Sequence, residues 1–262
     1  GLPLGRAAEV AAGAHARADR ADGEAGLVGG GIQHREVLRM PAHQVAAEGE
    51  GIGAGGARHV LRDRQVEMAV LETARGGLLR RGLAVVDYDV GVITNVGTAH
   101  IGHMGSEEAI ADEKSCLFAG MRAGAVAVLN RDNRHFDRLV AGARRFGVTR
   151  IVGFGKSEQA EARLLACSLH DSGSDVTVSV HGRRIDYRLG APGEHWVLNS
   201  LAALAVVDAL GANVDRAAAS LAEVTASPGR GARRRLRFGG GTIELLDESY
   251  NANPASMRAS CR

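Results

Sequence analysis

The sequence is poor in aromatic residues, with five Phe, three Tyr and one Trp among 262 positions. A core must therefore come mainly from Ala, Val, Leu and Ile, and a chain of this length has enough of them for one to two domains. Cysteine is scarce as well. Cys116, Cys167 and Cys261 are widely spaced and follow no metal-ligand pattern, which excludes a disulfide scaffold and a zinc module and suits a reducing compartment. A long apolar run is missing too. The stretch from Leu198 to Leu210 is interrupted by Asn199, Ser200 and Asp208 and is too short and too polar to cross a bilayer. No apolar segment followed by a cleavage site stands at the N-terminus, so the expectation is no export signal and a cytoplasmic location. Charge of one sign is also lacking. A formal net charge of +2 gives no general electrostatic case for a nucleic-acid or membrane partner.

Lysine is the scarcest charged residue. Of 32 basic residues only Lys114 and Lys156 are lysine. Arginine and lysine are not interchangeable where a compact, modifiable amine is needed, so both positions merit a functional reading.

Residues 1–65 contain no aromatic residue and are dense in Ala, Gly, Arg and Glu. The composition predicts a poorly packed segment, although Ala7 to Ala18 could form a helix on propensity. From Val66 the pattern sharpens. Val66 to Thr73 and Asp89 to Val96 are short runs rich in β-branched residues, as expected of buried parallel strands. Ser106 can cap a helix reaching to about Ala119, with Glu107 and Glu108 in its first turn, where negative charge is favoured. A strand over Ala125 to Leu129, a helix over Asn133 to Phe146 and a strand over Val148 to Phe154 follow. Val176, Val178 and Val180 then alternate with polar residues, as do Ile185, Tyr187 and Leu189, around His181-Gly182-Arg183, which reads as an antiparallel hairpin. Helices are expected from Glu194 to Leu210 and from Val214 to Val224, a linker at Ser227-Pro228-Gly229, and a strand from Thr242 to Leu246. The fold class is α/β: a mostly parallel doubly wound sheet with a small antiparallel hairpin element, plus the truncated start of a second α/β domain. The expected divisions are 1–65, 66–226 and 227–262.

Two strand ends carry chemistry. Glu72 is followed by Thr73-Ala74-Arg75-Gly76-Gly77, and His100 follows Thr94-Asn95-Val96-Gly97-Thr98. Ligands of open α/β sheets bind beyond the carboxyl ends of strands, and a carboxylate with an imidazole at neighbouring ends could hold a divalent cation. A helix-capping Glu and a loop His are the plainer reading. Lys114, fourteen residues after His100, would ordinarily be a solvated surface residue of its helix. Gly153-Phe154-Gly155-Lys156-Ser157 suggests a phosphate loop, but position 150 is Arg where the full pattern needs Gly, so a P-loop is rejected. The basic run Arg230, Arg233, Arg234, Arg235 and Arg237 lacks interleaved aromatics before Phe238. A solvated strand face explains it better than nucleic-acid binding, and one or two of its arginines could hold a nucleotide phosphate.

Taken together, DVGVITNVGTAHIGHMGSEEAIADEKSCLFA (89–119), GEHWVLNSLAALA (193–205), GRGARRR (229–235) and LDESYNANPASMRA (246–259) resemble the Mur ligase superfamily over residues 66–259. The SYNANP string is similar to the type that joins D-Ala-D-Ala to UDP-N-acetylmuramoyl-tripeptide. Ala69 to Leu83, AVLETARGGLLRRGL, is closer to cyanophycin synthetase, which leaves an amino-acid ligase of that kind as an alternative.

The resemblance implies an ATP- and Mg2+-dependent amide ligase of peptidoglycan precursor synthesis, acting as a monomer on small molecules (UDP-muramoyl-tripeptide and D-Ala-D-Ala), with no nucleic acid and no membrane partner. It implies Glu72, His100 and Lys114 at the metal, with Lys114 carbamylated and Lys114 and His100 catalytic. It places Asn199 near the adenine, Arg230 with Asp247 or Glu248 at phosphate and ribose, and Tyr250, Asn251 and Asn253 on the substrate side. One family feature is missing. The glycine-rich GK[ST] loop expected upstream of Glu72 is represented only by GEAGLVGGG (23–31), without Lys, Ser or Thr. That departure, the composition break before Val66 and the tail Ser260-Cys261-Arg262 predict ends that are truncated or read out of frame. Weak or no ATP binding and no turnover would follow. A non-catalytic remnant of the ATPase domain is the remaining alternative.

Overall fold

The structure is a computed structural model and describes residues 10–14, 68–72, 87–98, 101–226, 231–247, 249 and 257. Its centre is three parallel strands, β3 (Tyr88–Ile93), β4 (Met121–Asn130) and β5 (Arg150–Gly155). Val92, Val128 and Val152 stand side by side across them. Every residue of β3 is buried, so its sequence lacks polar alternation, and its one charged residue, Asp89, is ion-paired with Arg122.

The N-terminal side of the sheet departs from expectation. Val10 to Ala14 form a strand, β1, where helix propensity favoured a helix. β1 lies between β2 (Ala69–Glu72) and β3, antiparallel to both. Pairing on both edges supplies backbone partners that outweigh the modest helical preference of Ala. Because β2 and β3 both oppose β1, they run in the same direction, and Ala11 pairs with Glu72 on one side and Val92 on the other. Glu72 thus closes β2 on the edge of the sheet where β3 also ends. The expected strand residues 66, 67 and 73 lie outside the described residues.

On the other side, β6 (Ala162–His170) pairs in parallel with β5 only at Phe154↔Ala162 and Gly155↔Arg163. A parallel connection usually needs a dozen residues or more. Here 156–161 suffice, because β6 begins level with the end of β5 instead of returning to its start. β6 then continues beyond the parallel centre as one leg of an antiparallel meander with β7 (Gly173–Val180) and β8 (Arg183–Leu189). The expected hairpin is β7–β8. Its two central residues, His181 (φ 46°) and Gly182 (φ 82°), are both left-handed, the tight turn that matches strand twist.

Helices cover both faces. In β4, Val126 and Val128 pack toward α4 (Glu194–Ala209) and α5 (Val214–Ser220), together with Trp196, Leu201 and Phe154. Ala127 and Leu129 alternate to the opposite face, with Ile110, Phe118 and Leu139, around α2 (Glu107–Ser115) and α3 (Phe136–Arg145). A short helix, α1 (Ile101–Met104), precedes α2. The few aromatics are concentrated here: Tyr88, Phe118, Phe136, Phe154, Tyr187 and Trp196 are all buried. Each fully buried large side chain contributes roughly 1.5–3 kcal/mol. The helix expected to reach Ala119 stops at Ser115 and tightens into a 3₁₀ turn over Cys116–Gly120.

A separate antiparallel hairpin, β9 (Ala232–Phe238) and β10 (Gly241–Asp247), holds the arginine run. Arg233, Arg234, Arg235 and Arg237 are all exposed, as a solvated strand face requires. The expected linker 227–229 lies outside the described residues.

Candidate functional site

The carboxyl ends of β3, β4 and β5 form one edge, and each is followed by a turn whose polar side chains bond to the next. After β3 the chain passes through Thr94 to Thr98, where the Thr98 carbonyl accepts from Ile101 N at 3.1 Å and starts α1. After β4 come Asn130-Arg131-Asp132-Asn133-Arg134-His135. Asn130 Nδ2 donates to the Thr94 carbonyl at 3.0 Å, and its Oδ1 accepts from Asp132 N at 2.9 Å. Asn133 Nδ2 donates to Asn95 Oδ1 at 2.6 Å and to the Val96 carbonyl at 2.8 Å. Its Oδ1 accepts from His135 N at 2.9 Å. Both amides are therefore oriented by their bonds.

Asp132 points the other way. Its two carboxylate oxygens accept from Lys156 N (2.7 Å) and Ser157 N (2.9 Å), while Lys156 Nζ donates to Glu194 Oε1 at 2.5 Å on α4. The backbone donors that a phosphate loop would turn on its ligand are thus given to an internal carboxylate, in agreement with the rejected P-loop. Gly155 makes room for this contact. Its φ is +146°, and a Cβ there would stand 2.5 Å from Asp132 Oδ2.

The same turn reaches α2. Glu107 Oε2 takes an ion pair from Arg134 Nη2 at 2.7 Å and lies 3.1 Å from His135 Nε2. Ser106 caps α2 as expected, its Oγ accepting from Ala109 N at 3.1 Å. The free backbone N–H of Glu108 and the Ser106 hydroxyl hold the Glu108 carboxyl below the usual range. Lys114 lies in the last turn of α2 and is half-buried. Next to it, Ser115 packs against α3 so closely that a Cβ on Gly142 would lie 2.4 Å from its Oγ. Arg138 Nε and Nη2 donate to Asp112 at 2.7 and 2.6 Å and complete the α2–α3 contact. This bond holds the Asp112 carboxyl below its ordinary value.

The expected site residues fall as follows. Lys114 is described. Asn199 is half-buried within the first turns of α4. Asp247 ends β10, where its Oδ1 accepts from Ser249 N at 3.2 Å and Ser249 Oγ at 2.6 Å. Glu72 is placed by its backbone alone as the last residue of β2. His100, Arg230, Glu248, Tyr250, Asn251 and Asn253 lie outside the described residues. Among the described residues no group of three His, Cys, Asp or Glu side chains is placed to hold a metal ion. The donor chemistry of the expected set suits magnesium only if Lys114 is carbamylated. Glu72 brings a carboxylate, and a hard cation takes oxygen from Lys114 only once its ammonium is converted to an anion. The sequence reads Glu107 only as a first-turn charge of its helix and does not single out Asn130 and Asn133. Their signal is the Asn-x-Asp-Asn composition immediately after a strand, typical of side chain–backbone turns.

Helices on both faces of a parallel centre, with polar turns gathered at the carboxyl edge, define a doubly wound α/β domain. The chain belongs to the Mur ligase family: the Mur ligase middle domain matches residues 33–207. A UDP-N-acetylmuramoyl-tripeptide–D-alanyl-D-alanine ligase of Mycobacterium bovis is 33% identical over 199 residues, covering 75% of this chain and 38% of that protein. MurF from Acinetobacter baumannii has a solved structure that matches with a TM-score of 0.60 and 26% identity, over 68% of this chain and 37% of that one. The MurF ligase from Thermotoga maritima in complex with ADP matches with a TM-score of 0.55 and 27% identity, over 66% of this chain and 38% of that one. The chain spans about two fifths of the length of such relatives.

Proposed function

We propose that this chain is the nucleotide-handling part of an ATP-dependent ligase that joins D-Ala-D-Ala to UDP-N-acetylmuramoyl-tripeptide in the cytoplasm, as a monomer. The observation that carries this reading is the 33% identity to the M. bovis ligase. The ADP complex of the T. maritima relative supports nucleotide as the shared ligand.

In the proposed reaction, the tripeptide carboxylate attacks the γ-phosphorus of ATP. ADP leaves and an acyl phosphate forms. The D-Ala-D-Ala amine then attacks the acyl carbon, loses its proton, and phosphate departs from the tetrahedral intermediate. Such phosphoryl transfer depends on positioning and charge neutralisation. Bound magnesium would supply part of that neutralisation. Glu72, His100 and carbamylated Lys114 are the residues proposed to hold it. Asn199 is proposed to face the adenine, Arg230 and Asp247 or Glu248 the phosphate and ribose, and Tyr250, Asn251 and Asn253 the acceptor. The segment 23–31 has no lysine to meet the phosphates, so binding should be weak.

Calorimetric titration with ATP, with and without Mg2+, tests the reading. Weak Mg2+-dependent binding that disappears in Lys114→Ala is the expected result. An equal affinity in parent and variant overturns the assignment of Lys114, and no binding by the parent overturns nucleotide handling by this chain.

A further inference from the structure

The turn of residues 130–135 touches two separate segments at once. Through Asn130 and Asn133 it holds the backbone carbonyls of Thr94 and Val96 and the side chain of Asn95. His100 lies four residues beyond Val96 in the chain. Through Arg134 and His135 it holds Glu107, in the first turn of the helix that carries Lys114. The two segments bear two of the three proposed metal ligands.

We propose that the turn 130–135 is the positioning element of this site, and that Asn133 is its key residue. The inference rests on the ligase reading above for its functional consequence, while its geometry stands on the contacts alone. The Asn133 amide uses its nitrogen for both grips on the loop and its oxygen for His135 N. A carboxylate of the same shape would set an oxygen against the Val96 carbonyl, turning that attraction into a repulsion, while the Asn95 amide would have to flip to present its nitrogen. The loop after β3 would then be released at Val96 while the sheet itself is untouched. His135 is buried, and its ring closes the other end of the turn against Glu107. The turn thus fixes the separation between the segment leading to His100 and the helix bearing Lys114. Partners hydrogen-bonded directly to a metal ligand govern metal affinity by about 10–100-fold, and a turn acting at one remove through the chain belongs at the lower end of that range.

The test compares the parent with Asn133→Asp and with Asn95→Ala, which removes only one of the two grips and lies at an exposed position. Arg184→Ala, which removes an exposed ion pair within β8, far from the turn in the strand order of the sheet, is the control. Two quantities are read: Mn2+ affinity in the presence of ADP by electron paramagnetic resonance, and backbone 15N order parameters, with thermal melting to confirm folding. In Asn133→Asp the order parameters of residues 94–98 should fall from about 0.85 toward 0.6, and Mn2+ affinity should fall about tenfold. Asn95→Ala should show a smaller change of the same kind, and Arg184→Ala none. Order parameters unchanged in a folded Asn133→Asp overturn the proposal. Loosened residues 94–98 with unchanged Mn2+ affinity overturn its functional half. A parent that binds no Mn2+·ADP overturns the ligase reading instead, and the order parameters then decide the positioning role by themselves.

Discussion

The Tyr187 hydroxyl on β8 donates a hydrogen bond to Ser200 Oγ on α4. The two oxygens are 2.6 Å apart, and because Ser200 Oγ itself donates to the Val197 carbonyl at 2.7 Å, the tyrosine must supply the proton between them. Both residues are buried. The bond fixes α4 against the meander one residue after Asn199, the side chain proposed to face the adenine.

Tyr187→Phe removes the donor and leaves Ser200 Oγ still bonded to Val197. The expected cost is about 1 kcal/mol, measurable by urea denaturation, with a modest loss of any nucleotide affinity through Asn199. Burial pushes the Tyr187 phenol up to about 12, with the Ser200 bond and Cys167 as smaller influences. A folded value above the unfolded one of about 10 means the folded state holds its proton longer. The contribution is complete below pH 10 and is lost as pH rises from there toward 12. Tyr88, buried in the second core, is shifted in the same direction by burial. Stability should therefore fall above pH 10, and less steeply in Tyr187→Phe. Parallel slopes for parent and variant would refute the assignment.

Gly142 on α3 faces Ser115 on α2 with no room for a side chain. A Cβ at 142 would lie 2.7 Å from the Ser115 Cβ as well as against its Oγ. Gly142→Ala should thus destabilise by about 1–3 kcal/mol through overpacking, despite the better helix propensity of Ala. Ser115→Gly should recover part of that loss in the double variant, giving a non-additive cycle in chemical denaturation. Strict additivity would show that the helices accommodate the methyl group without strain.

Lys156 tests the rejected phosphate loop. Its ion pair with Glu194 is about half exposed on both sides, and such pairs contribute at most about 1 kcal/mol. Lys156→Ala should change stability little and leave ATP affinity unaltered. Gly155→Ala should be far worse, since the left-handed backbone and the Asp132 carboxylate both exclude a side chain. If ATP affinity instead fell in Lys156→Ala, this segment would have to be reinstated as a phosphate site.

The sequence was most informative where one local force dominates. Continuous β-branched runs located β3 to β5, the Ser106 cap located α2, and alternation around His181-Gly182 located β7 and β8. β6 went unseen because ARLLACSLH runs past the covered centre of the sheet, leaving Leu165 and Leu169 exposed, so no clean alternation survives. β1 was concealed because pairing on both edges, not propensity, decides it. Of the candidate site, the residue types at the strand ends were readable and the turn that holds them was not. Asn130 and Asn133 act on residues 36 to 38 positions away, and no local pattern records such a bond. The placement of the metal and substrate residues in the chain came from family resemblance rather than from spacing.

Lys114 is the place where charge chemistry can be tested against geometry. An ammonium in the last turn of α2 is favoured by the helix dipole, and a carbamate there is disfavoured by about 0.3–1 kcal/mol unless a cation stands close by. Carbamylation and Mg2+ binding should therefore reinforce each other, as linked equilibria must. With 13C-bicarbonate, the parent should give a carbamate resonance whose intensity rises with Mg2+. Lys114→Arg keeps the positive charge and most of the side-chain packing, so melting should change little, but a guanidinium forms no such carbamate and Mg2+-dependent ATP binding should be lost. An arginine variant that binds Mg2+·ATP like the parent would mean that the lysine acts as a simple cation, and that its retention among 30 arginines has another cause.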